Sequence, residues 1–197
     1  MKKSLIVSLL FILFCGAGKV FAQAPQWNID KDHSNFYFSV EHIYSSIQGR
    51  FESYSAEIHF DPADLESSRF LFEIEVDSII THIAKRDKHL LSPDFFNEAE
   101  YPLIRFESTT ITETAANTYD VAGIFTIKGK KYDLVLPLTL EGVQNHPMMK
   151  DSLVAGFNGK VTIDRLAHGV GNGKFYKLGV VGKDVDIFVS LEVLRKE

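Results

Sequence analysis

Alternating apolar residues recur along most of this chain, and they constrain its fold more than any other feature. Phe36, Phe38 and Val40 share one parity, and so do Phe72 and Ile74. A period of two residues is the primary signal of a β-strand, because successive side chains of a strand point to opposite faces of the sheet. The pattern therefore predicts a sheet with one apolar face.

The alternating segments number about eight, and the last of them runs through Val185, Ile187 and Val189. A sheet with one apolar face can hide that face by closing on itself, and eight antiparallel strands suit a small barrel. We therefore predict an all-β protein with an eight-stranded antiparallel barrel and an apolar interior.

One stretch, Thr81–Leu91, is typical of a helix. Thr81 is its expected N-cap, and Pro93 follows its end. Ile83 and Leu90 lie seven residues apart, so both should lie on the apolar stripe of the helix. We expect this short helix to cap one end of the barrel as a lid or plug.

The first residues have the order of an export signal. Lys2 and Lys3 supply positive charge, Leu5–Phe14 is apolar, and the tripeptide ending at Ala22 resembles a cleavage site. The apolar stretch is shorter than the roughly 20 residues needed to span a bilayer. We therefore expect a signal peptide over residues 1–22, its removal, and a periplasmic protein with no membrane span.

Removal of that signal takes away Cys15 and three lysines but no acid, so the net charge changes from −5 to −8. A negative net charge argues against nucleic acid and anionic lipid surfaces as partners, since both attract basic patches. Without cysteine the protein cannot form a disulfide, and its stability must come from its core. Residues 27–194 show no linker or composition break and are expected to form one domain.

Several short motifs, in a fixed order, resemble the YceI-like family. They are Asp30-Lys31-Asp32-His33-Ser34, Phe38-Ser39-Val40-Glu41-His42, Arg86-Asp87-Lys88-His89-Leu90, Tyr101-Pro102-Leu103-Ile104-Arg105-Phe106-Glu107-Ser108 and Arg165-Leu166-Ala167-His168-Gly169. The resemblance runs from Trp27 to about Leu194. It implies an exported, lipocalin-like barrel that holds a long isoprenoid lipid, quinone-like or prenyl-phosphate-like, for carriage or storage.

The inward rows are the expected lipid surface. Burial of each methylene of a lipid tail favours binding by roughly 0.8 kcal/mol before ordering costs. The alternative is that these side chains simply fill the barrel, since eight-stranded barrels can be filled or hollow. The candidate ligand-binding residues are Phe36, Phe38, Val40, His42, Phe51, Phe72, Ile74, Arg86, Ile104, Phe106, Val121, Phe125, Ile187 and Val189.

Two segments depart from the family pattern and are interpreted as loops at the barrel mouth, where a head group would be selected. They are Asn145–Lys150 and Gly171–Lys174. Arg86 could bind a phosphate or a quinone oxygen there. The favoured alternative is that Arg86 forms an ion pair or a hydrogen bond that anchors the helix to the barrel.

The sequence predicts no catalytic residue, no metal site and no cofactor other than a bound isoprenoid. It has no HExxH or H-x-H motif and no evident cluster of histidine with carboxylates. Arg165 is expected to meet a carboxylate near the barrel end. Two alternatives remain open: an enzyme with Asp87 or His89 as acid or base, and a stress-response interaction module with a filled barrel. The oligomeric state is also open, a homodimer included.

Overall fold

The computed structural model describes residues 23–197, and the expected signal peptide over residues 1–22 lies outside them. Within this range the chain forms ten strands and two short α-helices. They are β1 (Gln26–His42), β2 (Ser45–Phe51), β3 (Tyr54–His59), β4 (Arg69–Glu75), β5 (Ile79–Ile80), α1 (Ala84–Leu91), β6 (Leu103–Ala115), β7 (Thr118–Ile127), β8 (Lys130–Asn145), β9 (Ser152–Asp164), α2 (Lys174–Lys177) and β10 (Val181–Lys196).

The strands form a closed antiparallel barrel. β2 and β3 are consecutive parts of one bent strand that pairs with β1, and β5 and β4 pair with them in turn. The wall therefore has eight strands in sequence order, and β10 closes it by pairing with β1. The predicted eight-stranded antiparallel barrel is confirmed.

Alternation on β7 shows why the chain folds in this way. Every second residue from Tyr119 to Ile127 is buried, and the residues between them are partly exposed. A tight two-residue loop, Lys128-Gly129, leads to β8, and both of its residues have positive φ. Such a loop matches the right-handed twist of the strands that it joins.

One half of the barrel interior is filled by aromatic side chains. The Phe60 ring lies 5.1 Å from the ring of Phe157 and 5.2 Å from the ring of Tyr119, edge-on to both. Trp27 is buried beside them, and its Nε1 donates a hydrogen bond to the Phe60 carbonyl over 3.0 Å. Edge-to-face pairs add about 0.5–1.5 kcal/mol each to the burial of their area. This half of the barrel is therefore a packed core.

Helix α1 begins three residues later than the sequence predicts. Its N-cap is Ile83, which has an extended backbone and a largely exposed side chain, and Thr81 is not the cap. The prediction that Ile83 and Leu90 share a helical stripe is therefore wrong, because Ile83 precedes the helical backbone on which that periodicity depends.

Helix α2 is not predicted by the sequence, in which Gly171–Lys174 has the pattern of a loop. A helix of four residues is too short to show a helical period. None of the helices within residues 23–197 is long and apolar enough to cross a membrane.

Candidate functional site

The barrel half opposite the Phe60 cluster is hollow. It contains a partly open cavity of about 300 Å³ with mainly aliphatic and aromatic walls. The register of β1 and β10 builds one wall, since Phe38 lies opposite Ile187 and Val40 lies opposite Val185. The same strands contribute to the packed core further along, so a single barrel is half filled and half hollow.

Ten of the fourteen predicted ligand-binding residues line this cavity. The other four lie in the packed core, where they fill the barrel. Except for Arg86, which lies on α1, the residues of both groups have the inward parity of a strand, so sequence alternation alone cannot separate them. Ligand contact by the ten stays a prediction. The ten are Phe36, Phe38, Val40, His42, Phe51, Ile74, Arg86, Ile104, Phe125 and Ile187, and the four are Phe72, Phe106, Val121 and Val189.

Helix α1, the turn after it and α2 meet over the cavity. The His89 ring lies 5.0 Å from the ring of Phe95 and 6.0 Å from the ring of Phe175, and Leu90 lines the cavity beside them. Sequence reasoning did not select Phe95, Phe96 or Phe175 as site residues. These phenylalanines lie outside the strands, where no period of two indicates which way a side chain points.

Arg86 anchors helix α1 and also lines the cavity. Its Nε donates to Oγ1 of Thr81 over 2.7 Å, and its Nη2 donates to the Thr81 carbonyl over 2.7 Å. The neighbouring Asp87 accepts hydrogen bonds from both the backbone N–H and the hydroxyl of Thr81. Within residues 23–197 no carboxylate oxygen lies within ion-pair distance of the Arg86 guanidinium. The contacts are those of the hydrogen-bonded anchor considered for Arg86.

Arg165 is buried, with 6% of its surface exposed, and it borders the cavity. It donates to three backbone carbonyls: Val170 over 2.9 Å, Gly182 over 2.8 Å and Val181 over 3.4 Å. The expected carboxylate partner is therefore a wrong prediction, since no such ion pair occurs in the described part of the chain. Burial lowers the pKa of Arg165, and the nearby Asp164 opposes that effect.

The electrostatics of the cavity are one-sided. Its charged side chains are Arg86 and Arg165, with His42 and His89 as further basic groups, and no Asp or Glu of residues 23–197 lines it. Guanidinium groups beside an apolar space suit the oxygen acceptors of an amphiphile's head group. The cavity can therefore hold an apolar tail and offer hydrogen-bond donors near one end.

The two divergent loops lie at opposite ends of the barrel, so they do not share a mouth as predicted. Gly171–Lys174 lies between Val170 and Phe175, which both line the cavity. The other loop precedes Ser152, which pairs with Lys196 at the far end of β10. The cavity instead touches the first residues of β10, so only Gly171–Lys174 can influence a head group there.

A cluster of histidine and carboxylates does occur, contrary to expectation. Nδ1 of His33 lies 3.0 Å from Oδ2 of Asp30 and 3.9 Å from Oε1 of Glu192. The hydrogen bond with Asp30 raises the pKa of His33. Sequence spacing could not reveal this group, because the closure of β10 on β1 brings Glu192 to the other two. The cluster lies on the outer wall, away from the cavity lining.

Comparison with known proteins gives concordant matches. A model of the YceI-like domain matches residues 27–193. The chain is 32% identical over 200 residues to a UPF0312 protein of Pseudomonas savastanoi pv. phaseolicola, and the match covers all of both chains.

Two solved structures share the fold. Burkholderia cenocepacia BcnA has a TM-score of 0.75 at 26% identity, and the match covers 86% of this chain and 100% of that one. A polyisoprenoid binding domain from Saccharophagus degradans, implicated in plant cell wall breakdown, has a TM-score of 0.61 at 14% identity. That match covers 87% of this chain and 98% of that domain, and at this identity it shows the fold alone.

Proposed function

Because this chain belongs to the YceI-like family, we propose that it is an exported binding protein that holds an isoprenoid lipid in its barrel cavity. The half-hollow barrel is the observation that carries the proposal, since a filled barrel would have no room for a ligand. Small-molecule sites are typically apolar clefts of about 300–1,000 Å³ with a few placed polar groups. The apolar walls and the two arginines fit that description.

Apolar contact supplies most of the binding free energy in this proposal. Phe36 and Phe38 of β1, Ile104 of β6 and Ile187 of β10 approach the cavity from three strands, so they can surround a tail on several sides. At roughly 0.8 kcal/mol for each buried methylene, a few isoprene units suffice without a strong polar contact. Arg86 lies among these residues and would donate to a quinone or phosphate oxygen.

The proposed role is carriage or storage, without covalent chemistry. The carboxylate of Asp87 is engaged by the backbone and hydroxyl of Thr81, which is the arrangement of a structural anchor. His89 lies against two phenylalanine rings, with its Nε2 3.4 Å from Asp94. A general acid or base must reach the reacting atom of a substrate, and the Asp87 side chain is not part of the cavity lining. We propose that this carrier is exported to the periplasm, because residues 1–22 have the sequence pattern of a signal peptide.

Native mass spectrometry of protein purified from the periplasm tests the proposal, followed by solvent extraction and identification of any bound lipid. A single bound species with isoprene mass spacing is the expected result. Purified apo protein that also fails to bind added prenyl lipids would contradict it.

A matched pair of substitutions locates the binding site. Val185→Trp places an indole in the cavity lining, whereas Val135→Trp places the same group on an exposed position of β8. We expect the first variant to lose bound lipid and the second to retain it. Equal lipid content in both variants would place the ligand outside the cavity.

A further inference from the structure

Four exposed apolar side chains surround one edge of the cavity. Ile43 and Tyr44 form the tip of the β1–β2 hairpin and are 57% and 102% exposed; Tyr176 and Leu178, in and after α2, are 45% and 65% exposed. We call these four residues the rim. A hydrogen bond of 3.1 Å from the Ile43 N–H to the Val180 carbonyl joins the two segments.

In both segments of the rim, a residue of the rim directly follows a residue that lines the cavity. His42 lies in the lining beside Ile43, and Phe175 lies in the lining beside Tyr176. Each of the two segments therefore places one side chain in the cavity and the next in solvent. Any surface that covers the rim would also lie against this edge of the cavity.

The hairpin tip is unfavourable for its own backbone. Ile43 has a φ of +52°, in the left-handed region that β-branched residues rarely adopt. Two-residue hairpin loops usually place Gly, Asn or Asp at such a position. The chain instead exposes isoleucine and tyrosine, at a cost both in backbone strain and in solvation. Local choices that disfavour folding are typical of functional positions.

The charge next to the rim differs from that of the whole chain. Residues 23–197 carry 18 Lys and Arg against 26 Asp and Glu, because the three lysines of residues 1–22 are outside this range. From Arg165 to Lys183, however, the sequence has four Lys or Arg and no acid. Arg165 is buried and Lys183 pairs with the flanking Asp164 and Asp184, so the excess charge near the rim comes from Lys174 and Lys177. Lys174 and Lys177 are exposed on either side of Tyr176, and Glu41 is the exposed acid near the hairpin. The segment of α2 is therefore locally basic.

We propose that the rim docks this protein on the surface of a bilayer that contains anionic phospholipids. Tyrosine and aliphatic side chains enter the interfacial region of a bilayer, while neighbouring lysines attract its anionic head groups. Docking at the rim would let a lipid pass between bilayer and cavity with little exposure of its tail to water. The inference rests on the proposed lipid-binding function. It differs from the expectation drawn from net charge, since a local basic segment can bind where the mean charge would not.

Co-sedimentation with vesicles tests the docking directly. The wild-type protein is incubated with vesicles of phosphatidylcholine and phosphatidylglycerol, and in parallel with vesicles of phosphatidylcholine alone. We expect binding to the mixed vesicles and about tenfold weaker binding to the neutral ones. Wild-type protein that stays in the supernatant with both vesicle types would overturn the proposal.

Variants of the hairpin and of α2 separate docking from folding. Ile43→Gly with Tyr44→Ser provides a loop suited to positive φ, so its thermal midpoint should be no lower than that of the wild type. Its vesicle binding should fall about tenfold through loss of apolar contact. The vesicle binding of the variant Lys174→Glu with Lys177→Glu should fall by a similar factor, because the attraction to anionic head groups is lost. Met148→Ser with Met149→Ser, at the opposite barrel end, is the control and should bind normally.

Two further measurements distinguish docking on a bilayer from ligand binding in the cavity and from self-association. Titration with a soluble fluorescent prenyl probe, without vesicles, should give the same affinity for the wild type and the rim variants. Probe binding with no vesicle binding would overturn docking and leave the proposed function intact. Rim-dependent vesicle binding without probe binding would support docking and contradict the proposed lipid-binding function. A mass in solution that changes from dimer to monomer in the hairpin variant would assign the rim to a second copy and overturn the proposal.

Discussion

The carboxylate of Asp87 accepts a hydrogen bond from the backbone N–H of Thr81 over 2.9 Å, and also one from the Thr81 hydroxyl. The same hydroxyl accepts a hydrogen bond from Nε of Arg86 over 2.7 Å. One threonine therefore joins the end of β5 to two consecutive residues of α1. The position of the helix over the cavity depends on this junction.

Thr81→Val should weaken that junction. Valine has nearly the shape of threonine but leaves Nε of Arg86 and one contact of Asp87 unpaired, at a cost of about 1–3 kcal/mol. We expect the free energy of unfolding, measured by urea denaturation, to fall by that amount. Thr81→Ser keeps the hydroxyl and serves as the control. Little loss in Thr81→Val together with a larger loss in Thr81→Ser would mean that the methyl group, and not the hydrogen bonds, stabilises the junction.

Leu90→Asp should accelerate the release of a prenyl probe. Leu90 lines the cavity beneath α1, so a carboxylate there would have to lose its hydration or displace the helix. Ile83→Asp makes the same change at a position that is 53% exposed, and it should leave the release rate unchanged. Stopped-flow displacement of the probe measures both rates. Similar rates in the two variants would argue against α1 as a lid.

Gly49→Ala should reduce the usable cavity. A Cβ at this position would lie 2.4 Å from the tip of the Phe38 ring and 2.9 Å from Cγ2 of Thr81. The ring has free space beside it, so we expect it to turn into the cavity at a cost of about 1 kcal/mol, at the low end of overpacking effects. Probe affinity should fall. Gly142→Ala has no heavy atom within 4 Å of its new Cβ and should change neither stability nor affinity.

Asp164 should make stability depend on pH in the acid range. The hydrogen bond from Lys183 is the largest cause that lowers its pKa below 3.8, and backbone N–H groups of Ala167 and Leu166 add to it. A lowered pKa means that stabilisation is fully present above pH 3.8 and is lost as the pH falls through the folded value. Asp164→Asn should therefore flatten the acid limb of stability against pH. Chemical denaturation over this range measures the slope, and an unchanged slope would contradict the prediction.

The alternation of apolar residues along the strands predicted reliably which side chains point into the barrel. On β10, Val189, Leu191 and Val193 are all buried, as their alternation predicts, and β7 alternates without exception. Parity succeeds because it follows from the geometry of a single strand and needs no knowledge of the partner strands. It also predicts closure, since a sheet with one apolar face must hide that face.

Capping and charge pairing were predicted less well. Thr81 has the chemistry of an N-cap, but its hydroxyl instead bonds the side chains of Asp87 and Arg86. Arg165 meets backbone carbonyls where a carboxylate was expected. In both cases several partners are chemically equivalent, so the choice depends on which atoms the fold brings within about 3 Å.

The sequence alone determined an all-β barrel with an apolar interior, because alternation is a local property that eight strands repeat. Only the tertiary structure decided which inward side chains fill the barrel and which surround a cavity. Phe72 and Phe38 have the same parity on their strands, yet Phe72 packs in the core and Phe38 borders open space. That difference depends on the register of neighbouring strands, which sets the position of each side chain along the barrel axis. It also depends on α1 and α2, which cover the end of the barrel that contains the cavity. Both are set by contacts between segments that are distant in the chain.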